Sequence, residues 1–103
     1  MRSCQRCGMP KRSASPDSWE AYARALGVEV QRRRLDLGIT QEALAHRAGL
    51  TRTHCQQIER GWWKRDAPAN PSLKVVVRLA QALGIEPGEL LPPAEEIRWP
   101  DPD

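Results

Sequence analysis

The chain has 103 residues, the length of one small domain, with 16 Lys+Arg against 13 Asp+Glu and a formal net charge of +3. So slight a basic excess does not select a nucleic-acid partner; the placing of the charge must do that. No apolar run approaches the ~20 residues of a membrane span, and the basic N-terminus has no apolar stretch behind it, as a secretory signal would. Three cysteines, an odd number, argue against a secreted disulfide framework, so the chain reads as cytoplasmic.

In chain order, residues 1–16 carry Arg2, Arg6, Lys11 and Arg12 and no acid, with too little apolar side chain to order themselves, and read as a basic flexible tail. The first helix is expected from Asp17, which has capping-box spacing to Glu20 after Ser15-Pro16. Trp19, Tyr22, Ala23, Leu26, Val30 and Leu37 form its core stripe, Gly27 is a locally weak helix former, and Gly38 is the stop. A short second helix is capped by Thr40, has Glu42 in its first turn, buries Leu44, Ala45 and Ala48, and closes at Gly49. A third is capped by Thr51, points Cys55 and Ile58 inward and stops at Gly61.

Residues 62–71, WWKRDAPANP, are irregular in their second half because of Pro68 and Pro71, and no strand pattern appears anywhere. A fourth helix runs from the Ser72 cap to Leu83, with Leu73, Val76, Val77, Ala80 and Leu83 on one face. The last, Pro87 to Leu91, has Pro at the tolerated first position and ends at Pro92-Pro93. Residues 92–103 carry one Arg against four acids and four prolines and read as an acidic tail, with Ile97 and Trp99 as tether points. The pattern predicts an all-α, five-helix domain over residues 17–91.

Residues 40–60, TQEALAHRAGLTRTHCQQIER, are two short helices joined by Ala48-Gly49-Leu50. Helices crossing steeply need a small residue at the contact, here Ala45, a glycine at the turn, here Gly49, and apolar locks, here Leu50 and Ile58. Such a pair presents the N-terminal residues of its second helix to a DNA major groove. Arg bonds guanine bidentately, Gln pairs with adenine, and Thr bonds a base edge or meets a thymine methyl, each good pair discriminating by ~1–3 kcal/mol. Over residues 41–65 the local charge is +3, and Arg32, Arg33 and Arg34 add a basic end to the first helix.

The ordered set Leu37 to Ala45, Ala48-Gly49-Leu50-Thr51, Ile58-Glu59-Arg60-Gly61, Pro71-Ser72-Leu73, Leu79-Ala80 and Leu83-Gly84-Ile85 resembles the lambda-repressor-like, or XRE, helix-turn-helix regulators, over about residues 22–91. The resemblance implies that Gln41 contacts a phosphate and braces the recognition helix. It puts Thr51, Arg52, Thr53 and Gln57 at base-reading positions, and makes Arg34 and Glu59 an ion pair between helices. Arg34, His54, Lys64 and Arg65 are further candidates for the DNA backbone. A homodimer on a palindromic operator is implied, with dimer contacts around Ile85 to Leu91 and a second candidate in the Trp-bearing loop, where Trp62 and Trp63 are open to a DNA-edge or a dimer-contact role. The stretch 62–70, with Trp62, Trp63, Lys64 and Arg65, is several residues longer than the family's usual link.

The expected function is sequence-specific binding of double-stranded DNA to regulate transcription, by repression in the first instance. No enzyme activity is expected, since no catalytic constellation is present, and no cofactor or membrane partner. Two other readings stay open: an antitoxin or accessory module that docks on a protein, and a zinc or thiol sensor built on Cys4 and Cys7, whose spacing is half a metal site. Cys55 is expected in the core, and at least one of Trp62 and Trp63 packed over its end.

Overall fold

The computed structural model describes residues 15–100. Its helices are α1 (Trp19–Asp36), α2 (Gln41–Ala48), α3 (Arg52–Arg60), α4 (Leu73–Leu83) and α5 (Pro87–Leu90), with two short strands, β1 (Trp62–Lys64) and β2 (Ala67–Pro68), between α3 and α4. The first four helices begin the same way. The hydroxyls of Ser18, Thr40, Thr51 and Ser72 accept the backbone N–H three residues on, at 3.0–3.2 Å, satisfying one otherwise unpaired donor each. The first cap is therefore Ser18 rather than the expected Asp17.

One core joins all five helices: Leu26 and Val30 of α1, Leu44, Ala45 and Ala48 of α2, Cys55 and Ile58 of α3, Val76, Leu79, Ala80 and Leu83 of α4, and Leu90 of α5. Each buried Leu, Ile or Val contributes roughly 1.5–3 kcal/mol relative to exposure. Four residues expected in this core, Trp19, Leu37, Leu73 and Val77, lie outside it. Leu37 is 48% exposed because α1 ends at Asp36, before the stripe comes round again. Leu73 is 75% exposed, since the inward face of α4 is Val76, Leu79, Ala80 and Leu83; Leu79, absent from the sequence-based stripe, is fully buried, and Val77 is only half-buried. Trp19 also leaves the core stripe and stacks on Tyr22 at 5.5 Å and on Trp99 at 6.0 Å.

The expectation of no strand is corrected at residues 62–68. β1 and β2 pair antiparallel, Trp62 opposite Pro68 and Lys64 opposite Ala67, with an irregularity between. Pro68 is tolerated because both strands are edges, where a missing N–H breaks no ladder. The amide of Ala69 donates to Gly61 O at 2.8 Å and closes the loop, with Ala69 buried. Gly61 itself has φ 85°, and a Cβ there would lie 2.9 Å from the Arg24 backbone, so only glycine turns the chain here.

Downstream of α5 the chain returns to the start of α1. The Tyr22 hydroxyl donates to Pro92 O at 2.9 Å and the Arg98 amide to Asp17 O at 3.1 Å. Burial raises the Tyr22 phenol above its ordinary pKa. Cys4 and Cys7 lie outside the described residues.

Candidate nucleic-acid interface

The α2–α3 pair is fixed at its turn and at its base. At the turn, the Leu50 amide donates to Ala45 O at 2.8 Å, and Ala45, buried, lets the helices close. At the base, the Glu59 carboxylate gathers three segments. Arg34 Nε donates to Oε2 at 2.7 Å and its Nη2 to Oε1 at 3.1 Å; Gln41 Nε2 donates to Oε1 at 2.9 Å. Arg34 Nη1 bonds Ile39 O at 2.9 Å. The pair is deeply placed, with side-chain exposures of 10% for Arg34 and 2% for Glu59. The carboxylate's hydrogen bonds hold the Arg34 guanidinium above its already high pKa, so the charge persists. α1 reaches this close to α3 only because of Gly27. A Cβ there would meet Ile58 O and Glu59 O at 2.5 Å, which turns a locally poor helix former into a packing requirement.

With its inner side held, α3 turns Thr53, Gln56 and Arg60 outward beside exposed Thr51 and Arg52. Spacings of three and four put Arg52, Thr53, Gln56 and Arg60 on one helical face. Gln56 and Arg60 were not among the expected readers. The spacing counted on from Arg52 and Thr53 would have found them.

Three expected site residues have other commitments. Arg34 is corrected as a phosphate holder: Nε, Nη1 and Nη2 each already donate to Glu59 or Ile39, and the residue is buried. Gln57 is half-buried and donates its amide to Trp63 O at 3.2 Å, so it braces the hairpin rather than standing free with Arg52. His54 is half-buried with its ring 5.4 Å from that of Trp63. Gln41 combines a bond to Glu59 with partial exposure at the opening of α2.

The basic charge is also sorted by the fold. Arg32 and Arg33 pair with Glu29 at 2.6 and 2.8 Å, and Arg32 reaches Asp36 at 3.5 Å, so the arginine run of α1 is largely neutralised. Burial pushes the Glu29 carboxyl up, but the bonds from both arginines outweigh it and hold the group below its ordinary pKa. Arg52, Arg60, Lys64 and Arg65 form no ion pair among the described residues. Cys55 is buried, and desolvation, helped by the Glu59 charge, raises its thiol to about 11, so it is a core residue without reactivity at neutral pH. Among the described residues no group of His, Cys, Asp and Glu is arranged to hold a metal, and no helix is long and apolar enough to cross a membrane.

Comparison with known proteins matches residues 30–90 to the family model described as helix-turn-helix. An HTH-type transcriptional regulator, y4dJ of Sinorhizobium fredii, is 34% identical over 71 residues, covering 69% of this chain and 84% of that protein. Among solved structures, the restriction-modification controller protein C.AhdI of Aeromonas hydrophila superposes with a TM-score of 0.60 at 36% identity, over 67% of this chain and 96% of that one. The hypothetical transcription factor NHTF from Neisseria gives 0.62 at 32% identity, over 79% and 84% of the two chains.

Proposed function

The chain belongs to the XRE-type, lambda-repressor-like helix-turn-helix family and is a DNA-binding transcriptional regulator, and from that premise we propose that it reads a palindromic operator as a homodimer and represses from it. α3 enters the major groove, with Thr51, Arg52 and Thr53 at base edges and Gln56 and Arg60 further along the same face. Gln57 contributes to readout through the atoms that its bond to Trp63 leaves free. Gln41, His54, Lys64 and Arg65 hold phosphates. The observation that carries this reading is the exposed, cationic and polar face of α3 on a helix whose other side is locked by the Arg34–Glu59–Gln41 cluster. Side chains that must meet base edges need a support that does not move.

One recognition helix covers few base pairs, so two-fold pairing with half-sites about 34 Å apart is proposed. Exposed Val28 and Leu91, beside the groove that Ala25, Leu90 and Pro93 line between α1 and α5, supply apolar area for that contact. The test is selection of bound sequences from a randomised duplex pool at a stated salt concentration. An enriched palindrome is expected. Salt-sensitive binding without enrichment would remove the specific-regulator reading.

A further inference from the structure

We propose that residues 92–99 are a strap that closes on the start of α1, and that the closed strap completes the face on which two copies of the chain pair. The proposal rests on the homodimer reading and adds the device that controls it. α5 is a single turn of four residues, and the Glu86 side chain gives it no cap. Leu90 holds it to the core, and Glu89 reaches Arg33 of α1 at 3.7 Å. The chain then crosses back to α1 and is pinned at two places. At the near pin the Tyr22 hydroxyl donates to Pro92 O at 2.9 Å. At the far pin the Arg98 amide donates to Asp17 O at 3.1 Å, and the Trp99 indole stacks on that of Trp19 at 6.0 Å. Trp19 in turn stacks on Tyr22 at 5.5 Å, so the two pins share one aromatic cluster.

Between the pins, Pro93, Ala94, Glu95 and Glu96 are exposed. Every residue so fixed costs conformational entropy, and here the contacts that offset it sit at the two ends. Segments with few buried contacts open locally without unfolding the rest. Opening changes the surface alongside. The groove of about 620 Å³ between α1 and α5 takes one wall from Ala25 and Val28, one from Leu90, and one from Pro92 and Pro93. Release removes the third wall and the downstream anchor of Leu91, the exposed residue that stands with Val28 as apolar area for pairing. Pairing therefore selects closed straps, and dimer affinity is scaled by the closed fraction of each protomer.

The test combines hydrogen exchange at the Arg98 amide, resolved by NMR, with sedimentation equilibrium of the full chain. Wild type is compared with Trp99→Ala and with Tyr22→Phe/Trp99→Ala, which keeps the buried ring but removes the hydroxyl pin and the indole stack. In wild type the Arg98 amide is expected to be protected. In the double variant that protection is lost, the Ile58 amide inside α3 keeps its own, and the dimer dissociation constant rises by about tenfold or more, since both straps must close. Trp99→Ala moves both readouts the same way by less, and its exposed site keeps the test valid if Tyr22→Phe loosens the core. An Arg98 amide unprotected in wild type overturns the closed strap. Lost protection with an unchanged dimer constant overturns its control of pairing. Wild type that stays monomeric with Arg98 protected overturns the homodimer reading and this coupling together.

Discussion

Glu59→Ala is the most demanding test of how α3 is held. In the native chain one carboxylate accepts from Arg34 at 2.7 and 3.1 Å and from Gln41 at 2.9 Å, at 2% side-chain exposure. Truncation leaves the Arg34 guanidinium almost buried and without a counter-charge, keeping only its bond to Ile39 O. Removing one member of such a pair costs about 3–5 kcal/mol, because the remaining charge stays desolvated. A small domain has only ~5–15 kcal/mol of stability, so the variant should approach the unfolding threshold. At about 4–8 °C per kcal/mol for a domain of this size, Tm should fall by at least ~12 °C. The assay is urea unfolding at pH 7 followed by tryptophan fluorescence and circular dichroism. Arg34→Met/Glu59→Leu serves as companion: replacing both charges by apolar groups of similar length should recover most of the loss. Gln41 is partly exposed and can turn to water. A cost below about 1 kcal/mol for Glu59→Ala would mean that water reaches the cluster. A double variant as unstable as the single one would mean that shape, and not charge, is what Glu59 provides.

Three further outcomes are expected. Gly27→Ala should destabilise by about 1–3 kcal/mol, because its methyl would meet two α3 carbonyls, although alanine is the better helix former by ~1 kcal/mol. Gly88→Ala, with open space around it, should be neutral or stabilising in the same denaturation series, and equal effects at both sites would contradict the close approach of α1 to α3. Arg52→Ala should relax preference at one operator position by ~1–3 kcal/mol in a competition assay with single-base variants; an unaltered preference profile removes Arg52 from the readers. For Cys55, the buried thiol ionises only at about 11 against an ordinary 9.0, so from pH 9 to 11 the unfolded chain releases a proton that the folded one keeps. Stability should therefore fall across that window and be untouched by this group below it. Comparing Tm between pH 8 and 11, Cys55→Ala should show a shallower decline, and parallel curves would refute the assignment.

The helices and the helix-turn-helix motif are written in local sequence. Ser and Thr caps, glycine stops and apolar spacings of three and four are local signals, each acting within a turn or two of chain. The residues of the α2–α3 turn were legible for the same reason, as was the inward course of Cys55 and Ile58. The roles of individual side chains depend instead on which surfaces meet. Gly27 is a weak helix former on local grounds, and it is required because α3 carbonyls stand where a side chain would be. Arg34 carries the same guanidinium as Arg52, and burial against Glu59 alone makes it structural while Arg52 faces solvent. Leu73 and Leu79 are chemically identical on one helix, and the rotation of α4 against the core exposes one and buries the other. The hairpin was hidden for a related reason. Its pairing joins residues whose own pattern is too short to signal a strand, and it forms because Gly61 and the Trp63 side chain dock it on α3. Local chemistry fixes which segments are helical; the charge or side chain that ends up buried is set by partners far away in the sequence.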